Sequence, residues 1–161
     1  MPKLSSMLFV GILLFFSACN NHQTIGSHSA SVIDTVKEQE AIKAVLTDMW
    51  DAIEKHDIDR YASHVHPNFT QFGETDSILL QGKSAEVAAT KNWMERSSNV
   101  HTEMIDPKIT INGNTAWVVY YWSDAGLNGT VPFKSRGKST RIFVKEKDRW
   151  LCIHGHYTLL Q

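Results

Sequence analysis

Two histidines stand two residues apart near the C-terminus, in Trp150-Leu151-Cys152-Ile153-His154-Gly155-His156-Tyr157-Thr158. Side chains alternate between faces along an extended strand, so Trp150, Cys152, His154, His156 and Thr158 are expected on one face. The two imidazoles would then converge on a common ligand or reacting atom. Imidazole titrates near neutrality, which suits a general acid or base, or a metal ligand, with His64, His66 or His101 contributing a third nitrogen. No carboxylate or third histidine has recognisable metal-ligand spacing, so no metal is expected, and histidines hydrogen-bonded within the core are the plainer alternative. Tyr61 and Tyr121 complete the candidate acid–base set. Trp50, Trp93 and Trp117 supply an apolar wall able to shift proton affinities, with Trp150 and His101 as further pocket candidates.

Carboxylates are harder to place. Glu103, which shares strand parity with His101, is the leading candidate, and Asp124, at the end of a strand, is the next. Asp48, Asp51, Glu54, Asp57 and Asp59 gather around the end of a helix, where a solvated face is expected, and Asp51 with Lys55 has ordinary helical pair spacing. Gly126-Leu127-Asn128-Gly129 and Ser135-Arg136-Gly137-Lys138 carry no phosphate-loop or dinucleotide fingerprint. No cofactor is expected.

The chemistry-bearing residues need elements to hold them. Thr35 to Glu38 has the spacing of a capping box, and Ile42, Val45, Leu46, Met49 and Ile53 follow at a helical period, predicting a first helix over 36–55. His56-Asp57 breaks it, Asp57 caps a short second helix through Val65, and His66-Pro67 prevents continuation. Phe69–Phe72 and Ile78–Gln81 flank a turn-like Gly73-Glu74-Thr75-Asp76 and read as a short hairpin. Gly82 and Ser84 mark a stop and a cap before a third helix that carries Val87, Ala88 and Trp93 to about Arg96. The period then changes. Residues 100–111, 115–123, 131–145 and 150–160 are rich in β-branched and aromatic side chains and read as strands. Asn112-Gly113 signals a type I′ hairpin, Lys147-Asp148-Arg149 a second tight connection, and Pro107 an edge or a bulge. Helices first and strands after is the α+β pattern.

The N-terminal segment has its own logic. Lys3 precedes an apolar run from Met7 to Phe16, too short to span a bilayer and suited to a signal peptide over residues 1–18. Phe16-Ser17-Ala18-Cys19 resembles the lipobox of bacterial lipoproteins, which implies a lipid-bearing Cys19. Several acyl chains anchor stably where one binds only marginally. Asn20 in place of an aspartate implies sorting to the outer membrane. Asn20 to Ser31 is small and polar, with too little apolar surface to fold, and is expected to act as a tether. About 130 residues remain, enough for one domain with one core. The formal charge of -1 offers no electrostatic footprint for nucleic acid. With Cys19 lipidated, Cys152 has no disulfide partner and is expected to be a small buried residue.

The run from Glu40 to Gly73, EAIKAVLTDMWDAIEKHDIDRYASHVHPNFTQFG, resembles the opening helix pair and first strand of SnoaL-like domains in the nuclear transport factor 2-like superfamily. The closing DRWLCIHGHYTLL resembles their last strand. The resemblance implies a cystatin-like α+β cone, with N-terminal helices packed on a strongly curved antiparallel sheet and a pocket at its mouth. It also implies that the histidine face of the last strand is the concave one. Superfamily members include isomerases, cyclases, dehydratases and non-catalytic binding or association modules, and fold does not choose among them. Three functions are therefore expected in order: binding of a small, partly apolar molecule; an isomerase, dehydratase, cyclase or hydrolase working through His154 or His156; and a protein-interaction module. Both faces of the strand around Trp117 are apolar, with Trp117, Val119 and Tyr121 against Val118, Tyr120 and Trp122. An antiparallel sheet usually leaves one face polar, so a homodimer packed sheet to sheet is expected.

Overall fold

The computed structural model describes residues 35–74 and 77–161. The expected signal peptide, lipid-bearing Cys19 and tether lie outside the described residues. Helix α1 runs Thr35–Glu54, α2 Ile58–Ser63, strand β1 Val65–Phe72, β2 Leu80–Gln81, α3 Lys83–Arg96, β3 Ser97–Asn112, β4 Thr115–Asn128, β5 Val131–Glu146 and β6 Arg149–Leu159. The α+β order read from periodicity therefore stands, with the strands longer than their apolar runs. Polar ends such as Ser97-Ser98 and Asp124 to Asn128 still find ladder partners.

Six strands form one sheet in the order β2-β1-β6-β5-β4-β3. From β3 to β6 it is an antiparallel meander, while β1 pairs parallel with β6, so the sheet is mixed rather than wholly antiparallel. The helix pair that precedes β1 delivers it to the far side of β6. Expected turns fall close to their signals. Lys147 and Asp148 both have positive φ, the I′ pattern. In the β3–β4 hairpin, Asn112 pairs with Thr115, so the loop is Gly113-Asn114, one residue later than Asn112-Gly113. Only its first central residue, Gly113, has positive φ, which is the II′ arrangement. Pro107 meets both expectations: β3 is an edge strand, and its register with β4 shifts between Ile105 and Lys108 around Asp106, whose φ is positive.

Helix ends are fixed by local chemistry. His56 adopts a left-handed conformation that ends α1, and the Asp57 carboxylate accepts the Arg60 backbone N–H at 3.0 Å to begin α2. Helix α2 stops at Ser63, before the Val65 expected to close it. Gly82, with no side-chain cap, precedes α3, and Ser84 lies inside the helix instead of capping it. Glu38 is held elsewhere than in a capping box: its carboxylate accepts Lys145 Nζ and Trp150 Nε1, both at 2.7 Å. The start of α1 is thereby tied to the ends of β5 and β6, and Glu38 is held below the usual carboxylate range, first by the Lys145 bond and then by Trp150.

Ile42, Leu46, Met49, Ala52 and Ile53 of α1 pack on Phe69, Val118, Phe143 and Cys152 of the sheet. This is the apolar stripe read from the sequence, and it fills the narrow end of the domain. Among the described residues no helix is long and apolar enough to cross a membrane.

Candidate functional site

The inner face of the sheet can be read from β5, where Gly137, Ser139, Arg141 and Phe143 are buried in alternation. On β4 the inward residues are Ala116, Val118, Tyr120 and Trp122. Helix α1 brings Leu46, Met49, Trp50 and Ile53 to the cavity, at the spacing of one helical face, and α3 brings Glu86, Ala89, Thr90, Trp93 and Arg96. Together these enclose a cavity of about 470 Å³.

Its floor is a buried polar network. Tyr61 Oη donates to Glu86 Oε1 at 2.5 Å, and Thr90 Oγ1 donates to the same oxygen at 3.4 Å. Gln71 Nε2 donates to Glu86 Oε2 at 3.3 Å, while Gln71 Oε1 accepts Arg141 Nη1 at 3.0 Å. One amide thus bridges a carboxylate and a guanidinium that share no direct ion pair. Burial and the neighbouring Glu86 carboxylate keep Tyr61 protonated, with its pKa well above the ordinary value. Burial opposes the charge on Arg141, but the acidic side chains around it, among them the Glu86 carboxylate, favour it and the guanidinium stays charged. Arg141 also lies against two rings, 6.0 Å from the centroid of Trp50 and 5.8 Å from that of Tyr157. Gly155 makes room for this arrangement: a Cβ there would meet Arg141 Nη1 at 2.5 Å and Gln71 Oε1 at 2.7 Å.

The histidines are elsewhere. Cys152 pairs with Phe143 and His154 with Ile142, so Ile153 is an extra residue in β6. A bulge of this kind resets the alternation. Trp150 and Cys152 remain inward, but beyond Ile153 the inward residues are Gly155 and Tyr157, and His154, His156 and Thr158 face outward. The single-face assignment of Trp150 to Thr158 is corrected accordingly, as is the placing of the histidine face on the concave side. His154 shares a bond of 2.8 Å with Thr70 Oγ1, and burial, then His156 and Arg141, lower its pKa. His156 sits edge-on to Phe72, at 6.1 Å between ring centroids.

Of the other expected residues, Tyr61, Trp50 and Trp93 reach the cavity. Trp117 and Tyr121 do not, because Ala116, Val118, Tyr120 and Trp122 take the inward positions and leave them on the outer face. Trp150 is buried in the narrow end beside Glu38. His101 and Glu103 are exposed together on β3, with His101 3.4 Å from Glu54 and 3.8 Å from Glu103. His64 contacts Asp48 at 2.6 Å and His66 contacts Glu146 at 3.2 Å. Among the described residues no three histidines, cysteines or acids are grouped to hold a metal. Cys152 is a buried free thiol, pushed up to about 11 by burial.

Sequence reasoning missed Arg141, Gln71, Glu86, Tyr120, Trp122 and Tyr157. The nearest signals were an arginine sharing strand parity with Phe143 and a glutamate at helical spacing from Thr90 and Trp93. Asp124, the second-ranked carboxylate, does line the cavity. Burial pushes it up to about 6, with Glu74 and Glu54 adding to the shift and Thr102 opposing it.

The model of the SnoaL-like domain family matches residues 42–160. The chain belongs to this family. Solved structures agree on the fold of this SnoaL-like domain. A nuclear transport factor 2-like family protein from Streptomyces avermitilis superposes with a TM-score of 0.73 at 15% identity, covering 79% of this chain and 99% of that one. The association domain of calcium/calmodulin-dependent protein kinase type II from C. elegans gives 0.62 at 24% identity, over 77% of this chain and 96% of that one. In sequence, the Caenorhabditis briggsae kinase of the same type is 28% identical over 141 residues, which are 81% of this chain and 25% of the kinase. The SnoaL-like chain thus spans about a quarter of the length of that relative.

Asp124 gives the domain a definite pH response. A carboxyl whose folded pKa of about 6 exceeds its ordinary 3.8 favours folding when protonated. That contribution is complete below the lower value and is lost as pH rises through the higher one. Two pKa units correspond to roughly 3 kcal/mol, and solvent screening at this partly exposed site reduces that to about 1–2 kcal/mol. Urea unfolding of the chain and of Asp124→Asn from about pH 4 to about pH 7 should therefore diverge, the native chain losing about 1–2 kcal/mol relative to the variant. Parallel curves would return Asp124 to an ordinary pKa.

Proposed function

We propose that this chain is an envelope lipoprotein, lipid-anchored through Cys19 at the outer membrane, whose SnoaL-like domain binds a small, partly apolar molecule. The observation that carries the binding reading is the cavity of about 470 Å³, walled by Met49, Trp50, Trp93, Trp122, Phe133 and Tyr157. Small-molecule sites have this character: concave, mainly aromatic, with a few convergent polar groups. Support for the anchor comes from Phe16-Ser17-Ala18-Cys19 and the apolar run before it.

The outer face of the sheet supports self-association as a homodimer. Ile105, Trp117, Val119 and Tyr121 are exposed on adjacent strands, Tyr121 at 52%. A sheet-to-sheet partner would cover apolar surface that water otherwise meets. The likeness to a kinase association domain points the same way. His154 and His156 lie on this side, so an interface there would include them.

An enzymatic reading is favoured by one observation, the raised pKa of Asp124 beside the cavity. A carboxyl titrating near neutrality can take and return a proton at a bound carbonyl compound, as an isomerase or dehydratase requires. The pH titration of Asp124 decides whether such a group exists.

Three outcomes are expected. Ala89→Trp should fill the cavity mouth and abolish fluorescence enhancement of the neutral probe N-phenyl-1-naphthylamine, with the circular dichroism spectrum unchanged; undiminished enhancement would put the probe elsewhere. Val119→Glu should convert dimer to monomer in sedimentation equilibrium, whereas a native chain that is monomeric at every concentration removes the dimer. Cys19→Ser should move the chain from the membrane to the soluble fraction of a bacterial host, and equal partition of the two forms would remove the lipid anchor.

A further inference from the structure

Buried polar atoms without a hydrogen-bond partner are concentrated in the cavity. Among the described residues they include Trp50 Nε1, Tyr120 Oη, Trp122 Nε1, Asp124 Oδ1 and Arg141 Nε, all from cavity-lining side chains. Arg141, Tyr120 and Trp122 are only 6%, 4% and 4% exposed. Four of these five atoms belong to groups that donate, and one of the four belongs to a guanidinium. Buried polar groups ordinarily find partners, and each one left alone costs on the order of 1–3 kcal/mol.

The charge is unbalanced in the same place. Among the described residues Arg141 makes no ion pair; its Nη1 goes to the neutral amide of Gln71. Glu86, the acid behind that amide, is already taken up by Tyr61, Gln71 and Thr90. Tyr120 and Trp122 alternate on β4, and β4 pairs with β5 so that Tyr120 lies opposite Ser139, two residues from Arg141. The hydroxyl and the guanidinium therefore stand close together on two adjacent strands on one side of the cavity, while Trp122 lies opposite Gly137, further along β5. Trp50 closes over Arg141 from α1. The remaining acceptor, Asp124, sits two residues beyond Trp122 on the same inward face, so the cavity has a donor-rich end and an acidic one.

We propose that the ligand of this cavity is a small organic carboxylate, its oxyanion received by Arg141 and Tyr120 and its apolar body lying against Trp50, Trp93 and Tyr157. The inference rests on the cavity being a binding site, and it adds the chemical class of what enters. A carboxylate supplies acceptor lone pairs to several donors at once and the counter-charge that Glu86 does not supply directly. A neutral amide of the same shape would present one acceptor oxygen, no charge, and an NH₂ group facing donors.

Isothermal titration calorimetry of the native chain with phenylacetate and with phenylacetamide tests this, because the two ligands differ only at the head group. Phenylacetate should bind at least about tenfold more tightly, the range of one hydrogen bond to a charged group. Tyr120→Phe deletes a single hydroxyl that has no protein partner, so the fold should be retained. In that variant phenylacetate should weaken by about tenfold while phenylacetamide changes little. Arg141→Lys keeps a cation but loses Nε–H, and should lower phenylacetate affinity further. Equal affinities for acid and amide, or no binding of either while N-phenyl-1-naphthylamine still enters, would overturn the carboxylate assignment and leave the cavity reading intact. Failure of all three probes would remove both.

Discussion

A guanidinium removed from water is the constraint around which the concave side of this domain is arranged. Taking such a charge into the interior costs several kcal/mol unless hydrogen bonds and nearby charge offset it. Arg141 is 6% exposed, and its surroundings come from three elements, β1, α1 and β6. Gln71 of β1 accepts Nη1, the rings of Trp50 and Tyr157 flank the plane, and Gly155 of β6 leaves the space that a methyl group would take. Gln71 also passes the interaction on to Glu86 of α3, which accepts the Tyr61 hydroxyl of α2. Helices α2 and α3 are thus tied to the sheet by hydrogen bonds that trace back to one side chain on β5.

The bulge at Ile153 gives this network its geometry. Without it, strict alternation would keep His154 and His156 inward with Cys152 and turn Gly155 and Tyr157 to the outside. With it, the last strand offers apolar Trp150 and Cys152 to the narrow end of the core and Gly155 and Tyr157 to the cavity. One inserted residue therefore exchanges two imidazoles for a glycine and a tyrosine at the position where Arg141 needs room and a ring. The histidines instead join Trp117, Val119 and Tyr121 on the outer face, where the neighbouring strands bring them near Phe72.

Two sides of one sheet are consequently suited to different tasks. The inner side combines an enclosed volume with partnerless donors and a carboxyl of raised pKa, features that belong to small-molecule recognition. The outer side carries an exposed apolar patch of Ile105, Trp117, Val119 and Tyr121 bordered by Lys108 and Lys138, a feature that suits association. Because the same strands carry both sets in alternation, a partner packed on the outside would rest directly behind Tyr120, Trp122 and Arg141. Membership of the SnoaL-like family accounts for the frame.

Periodicity alone determined the three helices, the strands and their order, because the spacing of Ile42, Leu46, Met49 and Ile53 and the β-branched runs after residue 97 reflect local geometry. Backbone preference likewise marked the bulge at Pro107, the cap at Asp57 and the turn at Lys147-Asp148. Aromatic wealth announced a pocket, and Trp50, Trp93 and Tyr61 line the cavity between the helices and the sheet. Alternation also showed that β4 has two apolar faces, but not which of them is concave, so Trp117 and Tyr121 were chosen where Tyr120 and Trp122 belong. That choice depends on the helices, whose packing selects a face through contacts between residues far apart in the chain. The bulge at Ile153 was equally invisible, since it arises from the register of β6 against β5 and no residue type nearby requires it. Arg141, Gln71 and Glu86 become a site only when β5, β1 and α3 meet, which is why tertiary structure rather than sequence decided where the chemistry of this protein resides.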